Sequence, residues 1–330
     1  MAAPLLFCTR YSSVPKEGQL HVESILYQNE EALLKSLPAQ QALKATNTQI
    51  RLKPKTSRTE YLEKVGTLKD ELQYGNIYEI NYCLEFAGIY PHFEPLHAFQ
   101  KLNESARAPF SAFYHCRDQY LICASPERYL QKTGRRLISQ PIKGTAPRSA
   151  DPYEDQELKD QLRSSEKEQS ENVMITDLVR NDLSRTASLG SVVVDELFGI
   201  YSFASVHQMI STVHSDLHEN YDAEDALRTS FPMGSMTGAP KLSAMQLIDQ
   251  HENFARSLYA GTVGYFSPSG DFDFNVVIRS LFFHAGTGYL SARVGSAITI
   301  HCEADKEYDE CLLKAKNLFQ ILEATTMSPT

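Results

Sequence analysis

One lysine, Lys143, lies between a strand-like run and a Gly-Thr turn, within residues 139–148. Pro141 and Pro147 restrict the backbone on either side of it, and Gly144 lets the chain pass close to whatever the lysine faces. A lysine placed in this way would be fixed in position. The alternative is an exposed loop lysine, because lysine side chains are mostly exposed in folded proteins.

Two glutamate pairs, each with members three residues apart, are a second chemical feature. Glu168 and Glu171 lie in a helix that Ser165 is predicted to cap. Glu307 and Glu310 lie in the last predicted helix, and at this spacing both carboxylates of a pair share one helix face. A solvated face is the alternative explanation for either pair. Four carboxylates brought together would repel one another unless a hard cation neutralised them, and oxygen ligands favour Mg²⁺.

A glycine-rich segment, residues 231–241, leads into a helix predicted to begin at Pro240, which is a favoured first-turn residue. Its free backbone N–H groups would form an anion site at the start of the helix. Gly234 and Gly238 are four residues apart and no Gly-Lys-Ser/Thr follows, so the spacing excludes a nucleotide-binding P-loop. A plain turn is the alternative.

The composition narrows the class of protein. With 330 residues, 42% of them hydrophobic, the chain can bury a sizeable core, and a formal charge of −9 without a basic block argues against a nucleic-acid partner. No apolar run is long enough for a membrane span and the start lacks signal-peptide features, so we expect a cytoplasmic protein. The six cysteines contain no Cys-x-x-Cys pair and no Gly-x-Cys-x-Gly glutaminase setting, so another chain would have to supply any ammonia.

Helices and antiparallel strands are predicted to position these residues. Ser57 and Glu60 predict a helix start, and apolar residues then follow helical spacing up to Gly75. Over residues 79–86 apolar and polar residues alternate, which predicts a strand with one apolar face. Other predicted strands cover residues 20–27, 110–114, 120–124, 136–138, 190–197, 259–266, 275–283 and 290–300, with a further element at 206–213. Other predicted helices cover residues 30–37, 165–185, 222–230 and 303–323, and residues 53–56 are predicted to be a linker. Residues 110–138 would form an antiparallel meander.

Five motifs resemble, in order and spacing, those of the chorismate-utilising enzymes. They are SPERY at 125–129, QPIKGTAPR at 140–148, SEKEQSENVMITDLVRNDLSR at 165–185, FPMGSMTGAPK at 231–241 and FNVVIRS at 274–280. The resemblance runs from about residue 57 to residue 319. It implies an α+β fold in which large antiparallel sheets pack face to face with helices outside. It also implies a reduced N-terminal segment, residues 1–56, before a catalytic domain at residues 57–330.

Within this family, Lys143 favours one activity. Members that add ammonia or water directly at C2 of chorismate usually carry alanine there, whereas the aminodeoxychorismate synthases carry lysine. The resemblance therefore implies conversion of chorismate and ammonia to 4-amino-4-deoxychorismate, on the route to para-aminobenzoate and folate, with a glutamine amidotransferase subunit as partner. An anthranilate or isochorismate synthase, or a non-catalytic subunit that docks an amidotransferase, are the alternatives.

The resemblance also implies catalytic and metal-binding roles. Glu127 would be the general acid/base for the C4 hydroxyl. Lys143 would be the nucleophile, with its pKa lowered by burial or by a neighbouring cation such as bound magnesium so that the nitrogen is neutral. His207 would be a histidine lining the site, with a core histidine as the alternative. The implied magnesium ligands are Glu171 and Glu310, with Glu168 and Glu307 contacting the ion or its waters, and the metal would bind the ring carboxylate of chorismate.

The implied substrate contacts form a third set. The enolpyruvyl carboxylate would meet Tyr259, Arg279 and the backbone near Gly295, and the further contacts are Gly144, Thr145, Thr237 and Ser296. The chain departs from the family at two places. Glu79 stands where ammonia-using relatives commonly have glutamine and water-using ones lysine, which argues against direct addition of water. Ala297 replaces the last glycine of the Gly-Ala-Gly substrate loop.

Overall fold

A computed structural model describes residues 10–13, 21–24, 50–203 and 206–323. The chain divides into two units, Met1–Ala45 and Thr46–Thr330. In the first unit, strands β1 (Arg10–Ser13) and β2 (His21–Ser24) pair antiparallel. β2 lies within the strand predicted at residues 20–27, whereas the helix predicted at residues 30–37 lies outside the described residues.

The second unit contains two seven-stranded sheets. Its strands are β3 (Lys53–Pro54), β4 (Glu79–Ile89), β5 (Phe110–Cys116), β6 (Gln119–Ser125), β7 (Arg128–Thr133), β8 (Arg136–Gln140), β9 (Ile142–Pro147), β10 (Val193–Ser202), β11 (Val206–Asp216), β12 (Gly238–Ala239), β13 (Gly264–Phe266), β14 (Phe272–Asn275), β15 (Ser280–His284) and β16 (Tyr289–Ile298). Sheet I has the order β12-β4-β16-β15-β6-β5, with β3 beside β4. Sheet II has the order β10-β11-β8-β7-β14-β13, with β9 beside β11. The described strand pairs in both sheets are antiparallel.

Seven α-helices are described: α1 (Arg58–Gln73), α2 (Pro95–Ala106), α3 (Pro152–Ser164), α4 (Glu166–Ser184), α5 (Ala223–Ser230), α6 (Lys241–His251) and α7 (Ala304–Glu323). The predicted caps are confirmed, because Ser57 accepts from the Glu60 amide and Ser165 from the Glu168 amide. Helix α3 was not predicted. The sequence carried a signal for it, since Asp151 caps the helix and a proline follows at its first position.

Strand β4 pairs with three strands of sheet I, namely β3, β12 and β16, and both of its faces are buried. The predicted apolar face is confirmed, and its residues pack with those of α1 and α7. Its polar face is also buried, because Cys83 belongs to the core cluster that includes Tyr129 and Leu130 of sheet II. Glu79 and Glu85 on this face are therefore buried between layers of the protein.

Two short crossovers, with no helix between the strands they join, connect one sheet to the other, and both were missed in the sequence. The first crossover, residues 126–127, joins β6 of sheet I to β7 of sheet II, so the predicted meander over residues 110–138 is wrong. The second crossover, residues 276–279, interrupts the strand predicted at residues 275–283. The Val276 amide donates to the Glu127 carbonyl at 3.1 Å, which joins the two crossovers.

The layers agree with the predicted fold class. Helices α1, α2, α6 and α7 contribute to two core clusters with sheet I, and a third cluster joins both sheets to α4 and α5. Residues 53–56, predicted as a linker, include β3, and residues 259–263 are not in a strand. The five described cysteines are free thiols, four of them buried. No helix within the described ranges is long and apolar enough to cross a membrane.

Candidate active site

Lys143 is buried in strand β9 and forms an ion pair across the two sheets. Its Nζ lies 2.6 Å from Glu79 Oε1 on β4 and 3.9 Å from Glu171 Oε2 on α4, and its side chain is only 10% exposed. The interpretation as an exposed loop lysine is therefore wrong. Burial lowers the pKa of Lys143, but the charges of Glu79 and Glu171 outweigh it, so the pKa is raised. The expected lowering does not occur with these side chains alone, because two carboxylates face one ammonium.

Glu127 is buried in the first crossover, close to the lysine. The Ser235 hydroxyl and the Ile142 amide are its hydrogen-bond partners, and the ammonium groups of Lys143 and Lys314 are nearby. Burial raises the pKa of Glu127 to about 7, although these partners lower it. A carboxyl of this kind holds a proton up to neutral pH, which suits a general acid.

The two glutamate pairs lie on helices α4 and α7, and lysines pair with them. Lys167 Nζ is 3.1 Å from Glu307 Oε1 and 3.9 Å from Glu171 Oε1, so one ammonium bridges the two helices. Lys314 Nζ lies 2.5 Å from Glu310 Oε1. Neither lysine was singled out in the sequence, since nothing in a single chain indicates which lysine faces a carboxylate on another helix.

The pKa values of these carboxyls reflect their burial. Burial raises the pKa of Glu171 to about 7, and it raises the pKa of Glu168 and of Glu307. Burial acts in the same direction on Glu310, but the ion pair with Lys314 outweighs it and the pKa is lowered. Burial therefore makes ionisation of three of the four carboxyls unfavourable. A cation bound among them would lower the free-energy cost of ionising them.

Two observations show that these residues fit a hard cation: the type of their donor atoms, and one buried oxygen that has no hydrogen bond. Glu171 Oε1 is buried without a hydrogen-bond partner, and the donors on both helices are carboxylate oxygens, the ligand type that Mg²⁺ prefers. The Lys167 ammonium already occupies a position between the two helices. Within the described ranges, no three His, Cys, Asp or Glu side chains are gathered closely enough to hold a metal ion. Binding would therefore require the carboxylates to move closer together.

Arg279 and Gly295 both contact Lys314, and Tyr259 lies near Arg279. Arg279 Nη1 donates to the Lys314 carbonyl at 3.0 Å, and Lys314 Nζ donates to the Gly295 carbonyl at 2.9 Å. Burial raises the pKa of Tyr259, so its phenol stays a neutral donor, and the phenol interacts electrostatically with Arg279. Burial lowers the pKa of Arg279, a cation enclosed with few anions. This arrangement would favour a bound carboxylate.

Gly144 and the glycine-rich loop fit closely against the glutamates. At Gly144, φ is +88°, and an added Cβ would lie 3.1 Å from Glu168 Oε2, so only glycine suits this position. At Gly238 in β12, an added Cβ would lie 2.2 Å from the Glu79 carbonyl. The loop is anchored by Lys241, whose Nζ lies 2.7 Å from Asp182 on α4. Ser235, which was not predicted, reaches Glu127 from this loop.

Three predicted substrate contacts do not offer a free side chain to the site. Two of them form hydrogen bonds within the protein, and the third is exposed to solvent. The Thr237 hydroxyl donates to the Met233 carbonyl at 3.1 Å, and the Ser296 hydroxyl lies 3.1 Å from the Tyr61 hydroxyl among the core residues between sheet I and its helices. Thr145 is exposed on β9. Their roles stay predictions, as does the anion site at the loop, where the Thr237 amide donates to Gly234.

His207 is fully buried in β11, and both of its ring nitrogens have partners. Nδ1 lies 2.9 Å from Ser202 Oγ, and Nε2 lies 2.9 Å from Asp155 Oδ1 on α3. Asp155 also accepts from Arg148 Nε at 2.8 Å. The ring therefore joins β11 to α3 just behind β9, and its catalytic role stays a prediction.

Comparisons with known proteins identify the family of the chain. A family described as chorismate binding enzyme matches residues 6–320. Aminodeoxychorismate synthase component 1 of Salmonella typhimurium is 38% identical over 306 residues, covering 92% of this chain and 66% of that protein. The protein of the same name from Escherichia coli (strain K12) is 39% identical over 267 residues, covering 81% of this chain and 58% of that protein. The chain thus spans about two thirds of the length of these relatives, or less.

Solved structures show the same fold. Anthranilate synthase component I from Streptococcus pneumoniae TIGR4 has a TM-score of 0.80 and 29% identity, over 92% of this chain and 70% of that chain. The menaquinone-specific isochorismate synthase of Escherichia coli has a TM-score of 0.74 and 18% identity, over 88% of this chain and 67% of that chain. The architecture is therefore shared by proteins whose names specify different products.

Proposed function

The chain belongs to the chorismate binding enzymes, and we propose that it converts chorismate and ammonia to 4-amino-4-deoxychorismate through a covalent adduct on Lys143. One observation carries the proposal. Lys143 is buried with its Nζ facing two carboxylates, in a region that also holds Glu127, a carboxyl with a pKa of about 7. A nucleophile and an acid are thus held together, and the similar proteins named aminodeoxychorismate synthase component 1 support this reading.

In the first step, Lys143 Nζ forms a bond to C2 of the ring. The two ring double bonds shift, the C4–O bond breaks, and Glu127 gives its proton to the leaving hydroxyl, which departs as water. Lys143 must first lose its own proton, and Glu79 and Glu171 are the adjacent acceptors. In the second step, ammonia forms a bond to C4, the double bonds shift back, and the C2–Nζ bond breaks. A covalent intermediate thus divides one displacement into two allylic steps.

Two carboxylates of chorismate would be held at the two ends of the site. Arg279 offers a planar fork that matches a carboxylate, and Tyr259 adds a neutral donor, so this end suits the enolpyruvyl group. Mg²⁺ would be held by Glu171 and Glu310 and their helix partners, where it would bind the ring carboxylate and neutralise developing charge. Lys143 would then lie between the two ends.

The partner in this proposal is a glutamine amidotransferase subunit that supplies ammonia, and the setting is para-aminobenzoate and folate synthesis in the cytoplasm. The words "component 1" in the names of the relatives support a second component. With glutamine alone, the purified chain should form no amino product, whereas ammonium salts at alkaline pH should support product formation. Turnover driven by glutamine in the isolated chain would contradict the need for a partner.

The decisive experiment replaces the nucleophile. In Lys143→Ala, the rate of 4-amino-4-deoxychorismate formation should fall by about a thousandfold or more. Any residual reaction should shift toward addition at C2, giving anthranilate-type or isochorismate-type products. Products are identified by mass and by the position of the new substituent. Lys316→Ala, at an exposed position on α7, is the matched control.

A second measurement looks for the adduct directly. Wild-type protein given chorismate and Mg²⁺ without ammonia should carry added mass on the peptide that contains Lys143. A Lys143→Ala protein that still made the 4-amino product at the wild-type rate would exclude the lysine as nucleophile. A wild-type protein that made only C2-substituted products would instead assign the chain to another activity of the family, and one that turned nothing over would leave it as a docking subunit.

A further inference from the structure

One ammonium group, that of Lys167, lies between the two helices that carry the glutamate pairs. Lys167 is the second residue of α4, and its Nζ is 3.1 Å from Glu307 Oε1 on α7. The same Nζ is 3.9 Å from Glu171 Oε1, one helical turn further along α4. A single side chain therefore joins one carboxylate from each pair.

The two carboxylates that Lys167 joins are both buried. Glu307 is 2% exposed, and its Oε1 accepts a hydrogen bond from Lys167. Glu171 is 8% exposed, and its Oε1 has no hydrogen-bond partner. These oxygens come from different helices, so a metal ion that joined the two glutamate pairs would bind the same atoms that Lys167 faces.

The other two lysines of the site pair with different atoms. Lys143 faces the second oxygen of Glu171, and Lys314 pairs with Glu310. Their side chains are 10% and 30% exposed, whereas that of Lys167 is 51% exposed. A lysine carries a compact charge on a flexible stem, so Lys167 can turn its ammonium into water while its backbone stays in α4.

We propose that Lys167 is a tethered cation that occupies the place between the glutamate pairs and is displaced when Mg²⁺ binds, which makes Lys167 the residue that sets the metal affinity. This inference rests on the proposed function, which includes the magnesium site. A divalent ion and an ammonium that share the same oxygens repel each other, so the two cations bind in turn rather than together.

The position of Lys167 also explains the spacing of the carboxylates. Within the part of the chain that the structure describes, no three acidic side chains are close enough together to hold a metal ion. The ammonium lies 3.1 and 3.9 Å from its two oxygens, whereas a bond from Mg²⁺ to oxygen is about 2.1 Å long. The carboxylates can therefore close on an ion only after Lys167 has left. With neither cation present, Glu171 and Glu307 would repel each other, so Lys167 keeps the pairs together for the ion that replaces it.

The first test measures Mg²⁺ binding by titration calorimetry, without chorismate. Lys167→Met keeps a long unbranched side chain but removes the charge, so the Kd for Mg²⁺ should fall by about tenfold or more, because no ammonium has to be displaced. Lys167→Gln should change the Kd in the same direction, and it replaces the methionine variant if that protein does not fold. Lys306→Met is the matched control, because Lys306 is exposed beside Glu307 and pairs with Glu303. Its Kd should stay within about twofold of the wild-type value.

A second measurement follows the displaced ammonium in the wild-type protein. Lysines are acetylated at low conversion with acetic anhydride, with and without Mg²⁺, and the modified peptides are quantified by mass spectrometry after proteolysis. Acetylation of Lys167 should become about threefold faster or more with Mg²⁺, because its amine leaves the two carboxylates. Acetylation of Lys306 should not change.

Each contrary result overturns the inference. A Kd for Mg²⁺ that is unchanged or raised in the Lys167 variants would show that Lys167 does not compete with the ion, as would an acetylation rate of Lys167 that is the same with and without Mg²⁺. Binding of Mg²⁺ by none of the proteins would remove the metal site, and the inference with it. Failure of the proposed function is recognised separately, from the wild-type product and adduct, since neither measurement contains chorismate.

Discussion

Glu79 and Glu85 lie on the same face of β4, six residues apart, yet their surroundings differ. Both oxygens of Glu85 have cationic partners: Arg293 lies 2.8 Å from Oε1 and Lys55 lies 2.8 Å from Oε2. Arg293 is itself enclosed, with its guanidinium 4.8 Å from the centre of the Phe282 ring. Glu79 has Lys143 on one oxygen and nothing on the other.

This difference separates a buried charge whose atoms are all engaged from one that keeps an oxygen without a hydrogen bond. A buried ion pair whose atoms are all engaged holds strands together and has no capacity for a ligand. A buried carboxylate with one free oxygen costs stability, and such groups concentrate at sites that bind or react. The Glu85 end of β4 therefore reads as structure and the Glu79 end as the site.

The largest expected effect concerns activity at the Glu79 end. Glu127→Gln keeps the shape of the side chain but removes the proton donor, so turnover to the 4-amino product should fall by about a thousandfold. The measurement is kcat with chorismate, Mg²⁺ and ammonium, and Glu219→Gln at an exposed position is the control. A fall of less than about tenfold would remove Glu127 from the role of general acid.

The next effect compares the two glutamates by stability. Glu85→Gln leaves Arg293 buried without a counter-charge and should lower the free energy of unfolding by about 3–5 kcal/mol. Glu79→Gln should cost about 1 kcal/mol, because the amide still accepts from Lys143 and Glu171 remains nearby. Urea denaturation with an unchanged m-value measures both changes. Equal losses would erase the distinction between the two ends.

A third effect follows from the raised pKa of Glu127. Its pKa rises from an ordinary 4.5 to about 7 on folding, so the unfolded chain loses this proton first as the pH increases. The contribution of this proton to the free energy of unfolding is fully present below pH 4.5 and is lost as the pH rises through about 7. The whole loss amounts to about 3 kcal/mol. The difference in unfolding free energy between wild type and Glu127→Gln should follow this course. A difference that is constant with pH would show that the carboxyl titrates normally.

The smallest effect is stabilisation by metal at the site. Mg²⁺ at ten times its dissociation constant should add about 1.4 kcal/mol to the free energy of unfolding. Glu171→Gln should remove this gain, whereas Glu85→Gln should keep it, because Glu85 lies in the structural cluster. Loss of the gain in both variants would mean that the ion binds elsewhere.

The residues that meet at the candidate site could be named from the sequence, but their pairings could not. Lys143, Glu127 and the two glutamate pairs were identified from motifs, and the caps at Ser57 and Ser165 were read from neighbouring residues. Contacts such as Lys143 with Glu79 join residues far apart in the chain. No periodicity encodes such contacts, so the raised pKa of Lys143 was missed.

The fold class followed from the resemblance, while several boundaries did not. A strand that ends where the chain crosses to the other sheet has the same composition as a strand that continues. The crossovers that contain Glu127 and Arg279 were therefore predicted as a turn and as part of a strand. Strand β7 was missed because its two apolar residues, Tyr129 and Leu130, are adjacent and its other four are polar, so no alternation marks a strand. Helix α3 was missed because few apolar residues mark its buried face, although its Asp-Pro start was visible.

The two crossovers determine how the site can admit chorismate. Glu127 and Arg279 sit on neighbouring crossovers joined by a backbone hydrogen bond, so sliding of one sheet over the other would strain both covalent connections. The helices α4 and α7 are bridged instead by Lys167, whose side chain is 51% exposed. Water and salt can compete for that bridge. The rate of substrate entry should therefore vary with ionic strength, while the spacing between Glu127 and Arg279 stays constant.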